Sequence, residues 1–146
     1  MKLEDQLVTK QQAKRLKELG VTGDAIWYWV YPKKAGMIST QAGICNKTGA
    51  EEIVSDNEGD EFDHEMSAAY SVAELGVMLN HKTNPRVYHP LDDDTNRFYV
   101  NTGYDSKKKL ITEEFQFEAH ARGRLIILHL EKKWITPEEI NNRLNS

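Results

Sequence analysis

The sequence predicts an α+β fold: a small, mostly antiparallel sheet packed against about four helices, two of them at the C-terminus. Three observations carry this. Strand-like and helix-like segments do not alternate as βαβ units, which argues against a parallel sheet. Several helices are marked by capping residues at their starts. A run of aromatic and β-branched residues near the N-terminus reads as a strand with two apolar faces. The chain has 146 residues, the size of a single domain, and no low-complexity linker divides it, so 1–146 is read as one unit.

Taken in order, the first helix spans residues 9–19. Thr9 is its N-cap, Gln12 completes a capping box, and Ala13, Leu16 and Leu19 form an apolar stripe. Gly20 supplies the stop. Residues 25–31 form the aromatic strand, with Ala25, Trp27, Trp29 and Tyr31 on one face and Ile26, Tyr28 and Val30 on the other. Pro32 ends it. Residues 33–50 read as a second strand around Gly43-Ile44-Cys45 or as a long loop. Residues 51–65 hold eight Asp or Glu and no Lys or Arg. A short strand at Glu52-Ile53-Val54 opens this segment, and a turn at Asp56-Asn57-Glu58-Gly59-Asp60 follows.

Ser71 and Glu74 form a second capping box, ahead of a helix with Val72, Leu75, Met78 and Leu79 as its stripe. Arg86-Val87-Tyr88-His89 and Arg97-Phe98-Tyr99-Val100-Asn101 read as two strands of a hairpin joined by residues 90–96. From 118 to 133 the pattern is helical, with Ala121, Leu125 and Leu128 in one row and Ala119, Ile126 and Leu130 in the next. The last helix starts at Thr136, with Pro137 at its first position and Glu139 in its first turn.

Composition excludes several classes. The net charge of −4 disfavours nucleic-acid binding except through a locally basic face. The single cysteine, Cys45, rules out an intramolecular disulfide and a CxxC zinc site. Leu125-Ile126-Ile127-Leu128 is the longest apolar run, far short of the ~20 residues of a membrane span. With no apolar leader after Met1, the expected location is the cytoplasm.

Three segments carry a family resemblance: Gln12-Ala13-Lys14-Arg15-Leu16-Lys17-Glu18-Leu19-Gly20, Tyr70-Ser71-Val72-Ala73-Glu74-Leu75-Gly76, and Ala119-His120-Ala121-Arg122 continuing into Ile135-Thr136-Pro137-Glu138-Glu139-Ile140-Asn141-Asn142-Arg143-Leu144. In this order they resemble a group of small proteins of bacterial phages and integrated mobile elements with no assigned activity. The likeness covers about a third of the chain, and residues 33–65 match nothing in the group. It implies a cytoplasmic accessory protein and no catalytic residue or cofactor.

The candidate sites are few. A calcium loop with Gly59 at its invariant glycine puts Val54 where the first ligand should be, and no helix is expected to lead into it. The acidic run therefore reads as a solvated loop. Its functional alternative is a decoy face, with Asp60, Glu61 and Asp63 imitating phosphates toward a DNA-handling protein. His64, His81, His89, His120 and His129 lack the HxxxH or HExxH spacing of zinc sites, so no metal site is assigned. Asp92-Asp93-Asp94 reads as a turn, Cys45 as a half-buried structural thiol, and His129 as a packed residue.

Trp27 and Trp29 are either sheet core or a surface that grips a partner. The basic face of helix 9–19 could meet phosphates, but no helix-turn-helix follows it. The leading functional reading is a non-enzymatic interaction protein with an unidentified protein partner, and a second subunit could close the aromatic strand. The alternatives are the acidic decoy and a small enzyme whose site is assembled from distant residues.

Overall fold

In the computed structural model, residues 2–34, 36, 42–59, 63–79 and 97–146 are described. Among them lie five α-helices and two small antiparallel sheets, with two helices at the C-terminus. This is the α+β class that the sequence predicts, with the strands divided between two sheets.

Helix α1 (Lys10–Glu18) begins and ends on local chemistry. The Thr9 hydroxyl accepts from the Gln12 amide at 3.1 Å, and the Gln12 side chain accepts from the Thr9 amide at 3.2 Å. At the other end Gly20 takes φ +98°, a left-handed conformation that glycine adopts without a Cβ clash. The Val21 and Gly20 amides then reach back to the carbonyls of Leu16 and Lys17, at 3.0 and 3.1 Å, which is the Schellman pattern.

Strand β1 (Trp27–Pro32) is the centre of a three-stranded sheet, between β2 (Gly43–Asn46) and β3 (His64–Ala68). Tyr28 lies opposite Cys45 on one side and Ala68 on the other. Both faces of β1 are covered from Tyr28 to Tyr31, as its composition requires. Tyr28 and Val30 pack on Ala50 and Ile53 of helix α2 (Lys47–Asp56). Trp29 faces the main core, shared by α1 and the later helices. The expected strand is too long at its start: Ile26 precedes β1 and is 65% exposed. There the Ala25 amide donates to the Tyr28 hydroxyl and the Ile26 amide to Glu74, both at 3.2 Å, so these donors are satisfied by side chains and not by a strand ladder.

Helix α2 overturns the reading of the acidic segment. Glu52-Ile53-Val54 is helical, and the run that reads as a solvated loop is half helix, with its end entering β3. A helix does lead into the turn at Gly59, contrary to expectation. The cause lies just upstream: the Asn46 side chain accepts from the Gly49 amide at 2.8 Å and caps α2. Burial of Ala50 and Ile53 on the sheet then decides the conformation over the β-branched pair Ile53-Val54.

Helix α3 (Val72–Met78) starts at the expected capping box, with the Ser71 amide donating to Glu74 at 3.0 Å. The hairpin differs from the sequence reading. Strand β4 (Phe98–Tyr104) pairs with β5 (Leu110–Phe115), whereas 86–96, the expected partner strand and loop, lies outside the described residues. The Asp105 carboxylate makes the turn by accepting from the Lys107 and Lys109 amides at 2.8 and 2.9 Å.

Helix α4 (Glu118–Glu131) is the hub. Its residues from Leu125 to Leu130 are all buried, the pattern of a helix enclosed on nearly every side. Ala119, Ile126, Ile127 and Leu130 face the main core, while Ala121 and Leu125 pack on Val100 of the hairpin. Arg124 clamps Glu113 of β5 at 3.0 Å. Helix α5 (Pro137–Leu144) closes the core through Asn141, which bonds the Gly20 carbonyl and the Thr22 and Gly23 amides. Tyr70, fully buried, donates to the Gly23 carbonyl at 2.5 Å. Among the described residues no helix is long and apolar enough to cross a membrane.

Candidate functional site: an apolar groove at Trp27

Five elements leave a groove of about 380 Å³ at the start of β1. A 3-10 turn, Leu3–Gln6, forms one wall. It is held because Leu7 bridges Ser71 and the Val8 amide donates to the Tyr70 carbonyl at 3.0 Å. Ile26 and Trp27 form the next wall, Val72 and Ala73 of α3 the floor, and Phe98, Phe117 and Ala119 the far side. Glu74 knits this frame together: its carboxylate accepts from Ser71 and also from the Ile26 amide. The same residue that caps α3 thus fixes the lip of the groove.

The surface is mainly apolar, with Leu3 37% and Ile26 65% exposed. Trp27 is half-buried. Contiguous exposed apolar surface around a concavity marks interaction sites more than isolated apolar residues do.

The charged and hydroxyl groups at the groove are spent on structure. Asp5 accepts from the Lys2 amide at 3.2 Å, Ser71 caps α3, and Glu118 is paired with Arg122 at 2.9 Å. No nucleophile with an adjacent base lies among these residues, so the groove offers shape and apolar area and no group poised for proton transfer.

The residues singled out by sequence do not form one site. Trp27 lines the groove. Trp29, two residues on, donates its indole N–H to the Val8 carbonyl at 2.8 Å and packs on the main core. Asp63 lies at the opposite end of β1, where its carbonyl accepts from the Lys33 amide and its carboxylate from the Gly59 amide, each at 2.8 Å. Asp60 and Glu61 lie outside the described residues. Asp63 lines a cleft of about 240 Å³ with buried His64, Glu51 and Glu58. Among the described residues no group of three or more His, Cys, Asp or Glu could hold a metal ion.

Cys45 is half-buried on β2 and packs beside Tyr28, as its small neighbours suggest. His120 stacks edge-on against Phe117. His129 is buried and meets Trp134 edge-on at 5.0 Å; its Nδ1 has no hydrogen-bond partner, and burial lowers its pKa. His81, His89 and Asp92-Asp93-Asp94 lie outside the described residues.

A further polar cleft is closed on itself. Lys47 donates to both Asp24 oxygens at 3.1 Å, and the Tyr28 hydroxyl donates to Asp24 at 3.2 Å. The Lys47 hydrogen bond lowers the Asp24 pKa, while burial raises that of Tyr28.

Sequence reasoning missed Leu3, Val72, Phe98 and Phe117 as groove residues, because each sits where a core residue is equally expected. Only the assembled positions of five elements show that they meet around an opening. No family model, curated protein or solved structure matches this chain.

Proposed function

We propose that this chain is a non-enzymatic accessory protein that acts by protein–protein contact, and that the Trp27 groove receives an apolar segment of its partner. The observation that carries this reading is the groove itself: an open, mainly apolar concavity whose two carboxylates, Asp5 and Glu118, are already engaged. Such a surface binds large aliphatic or aromatic anchors from a partner. Its charged lining residues, Asp5 and Glu118, are both acidic, which favours a segment with Lys or Arg beside its anchors. The proposed cytoplasmic accessory role and mobile-element setting are taken from the resemblance of the sequence segments alone.

The test is selection of a displayed random peptide library on the full chain. Selected peptides carry spaced Leu, Ile, Phe or Trp flanked by cations, and Trp27→Ser weakens their binding at least about ten-fold, the scale of an interface anchor. Peptides that bind wild type and Trp27→Ser alike contradict the reading. So does a concentration-dependent dimer that buries Trp27, which would make a second copy the occupant.

A further inference from the structure

A second concavity lies at the other end of β1. About 280 Å³ in volume, it is lined by Lys10, Lys14, Lys33, Lys34 and Tyr31. Two of these lysines come from α1 and two from the chain just after β1, so the fold gathers four cations that the sequence separates. This happens in a chain whose net charge is −4. Lys14 has a 3.7 Å ion pair with Glu65. Among the described residues Lys10, Lys33 and Lys34 have no ion pair.

Tyr31 organises the cluster. Its ring is 5% exposed and is fixed by a 2.6 Å hydrogen bond between its hydroxyl and Ser67. Lys10 and Lys14 lie 5.9 and 5.7 Å from its ring centre, within cation–π range. The ring thus holds two ammonium groups at the mouth of the pocket while leaving their N–H donors available.

We propose that Lys10, Lys14, Lys33 and Lys34, gathered around Tyr31, form a binding site for a compact phosphorylated anion of the di- or triphosphate class. Among the described residues three of the four lysines have no acid paired with them, so their like charges repel one another, and a multiply charged anion reverses that cost. Ammonium groups suit phosphate oxygens because each offers three donors on a freely placed point charge. The geometry favours a small ligand over a nucleic-acid strand: the buried Tyr31 ring leaves no open face for base stacking.

Calorimetric titration of the full chain with inorganic triphosphate at low salt tests this. Saturable one-to-one binding is expected. Lys10→Gln combined with Lys34→Gln weakens it at least ten-fold, while Lys107→Gln with Lys109→Gln, on the hairpin turn, leaves it unchanged. Absence of saturable binding overturns the proposal, as does equal weakening by the hairpin pair. Tighter binding of a single-stranded oligonucleotide than of triphosphate, lost in the same Lys10/Lys34 variant, also overturns it and assigns the pocket to nucleic acid. Circular dichroism of each variant confirms that these exposed substitutions leave the fold intact.

Discussion

Trp27 and Trp29 sit two residues apart on one face of one strand, yet they belong to different regions. Around Trp29 the molecule is closed: the indole N–H is bonded to Val8, and α1, α3, α4 and α5 share the core it packs on. Around Trp27 it is open, and the neighbours that would complete a core leave a groove instead. The difference teaches that residue type and strand periodicity choose a face, while burial along that face is decided by what later elements bring over it.

The comparison can be broken most forcefully at Trp29. Trp29→Ala should cost about 3–5 kcal/mol, the range for a large core aromatic, because it also strands the Val8 carbonyl. Trp27→Ala should cost under about 1 kcal/mol, in the range of substitutions away from a packed core. Urea unfolding of the two variants checks both values, and equal losses would erase the distinction between closed and open regions.

A smaller effect comes from the closed region alone. His129 is held neutral in the core, and burial depresses its pKa below the ordinary value. The unfolded chain therefore binds a proton at higher pH than the folded chain does. Stability is full above about pH 6.5, the unfolded histidine pKa, and falls as the pH drops from there toward the lower folded value. His129→Phe keeps the edge-on contact with Trp134 and removes both the titration and the unpartnered Nδ1. Thermal melts from pH 7 to pH 5 should show a shallower decline for the variant than for the wild type.

The smallest effect lies where that core ends. Lys133 has φ 59° after α4, and its amide and that of Trp134 return to Leu130 and His129. This is the same helix stop that Gly20 makes after α1, built on a residue with a Cβ. Lys133→Gly should raise stability by about 0.5–1 kcal/mol, because glycine meets no steric cost there. An unchanged or lowered melting temperature would count against that account.

Much of the frame was legible because it rests on local chemistry. The Thr9, Ser71 and Thr136 caps and the Gly20 stop depend on residues within a few positions of each other, and each appears in the structure. Helix α2 was obscured because its acidic run suggests solvation and Ile53-Val54 suggests a strand. The signal present was Asn46 as a cap, followed by Ala50, Ile53 and Val54 at helical spacing. Strand β5 was hidden by its charged Glu113-Glu114, one of which is held by Arg124 from α4. The groove and the lysine pocket were not legible, since both arise from segments far apart in the chain.

The most direct measurement follows the indole N–H resonances of Trp27, Trp29 and Trp134 while a selected apolar, cation-flanked peptide is titrated into the full chain. The groove assignment predicts that the Trp27 signal moves with saturating peptide while those of Trp29, bonded to Val8, and Trp134, at the far end of α4, stay in place. A stationary Trp27 signal under saturating peptide, or movement at Trp134 in its stead, would contradict it.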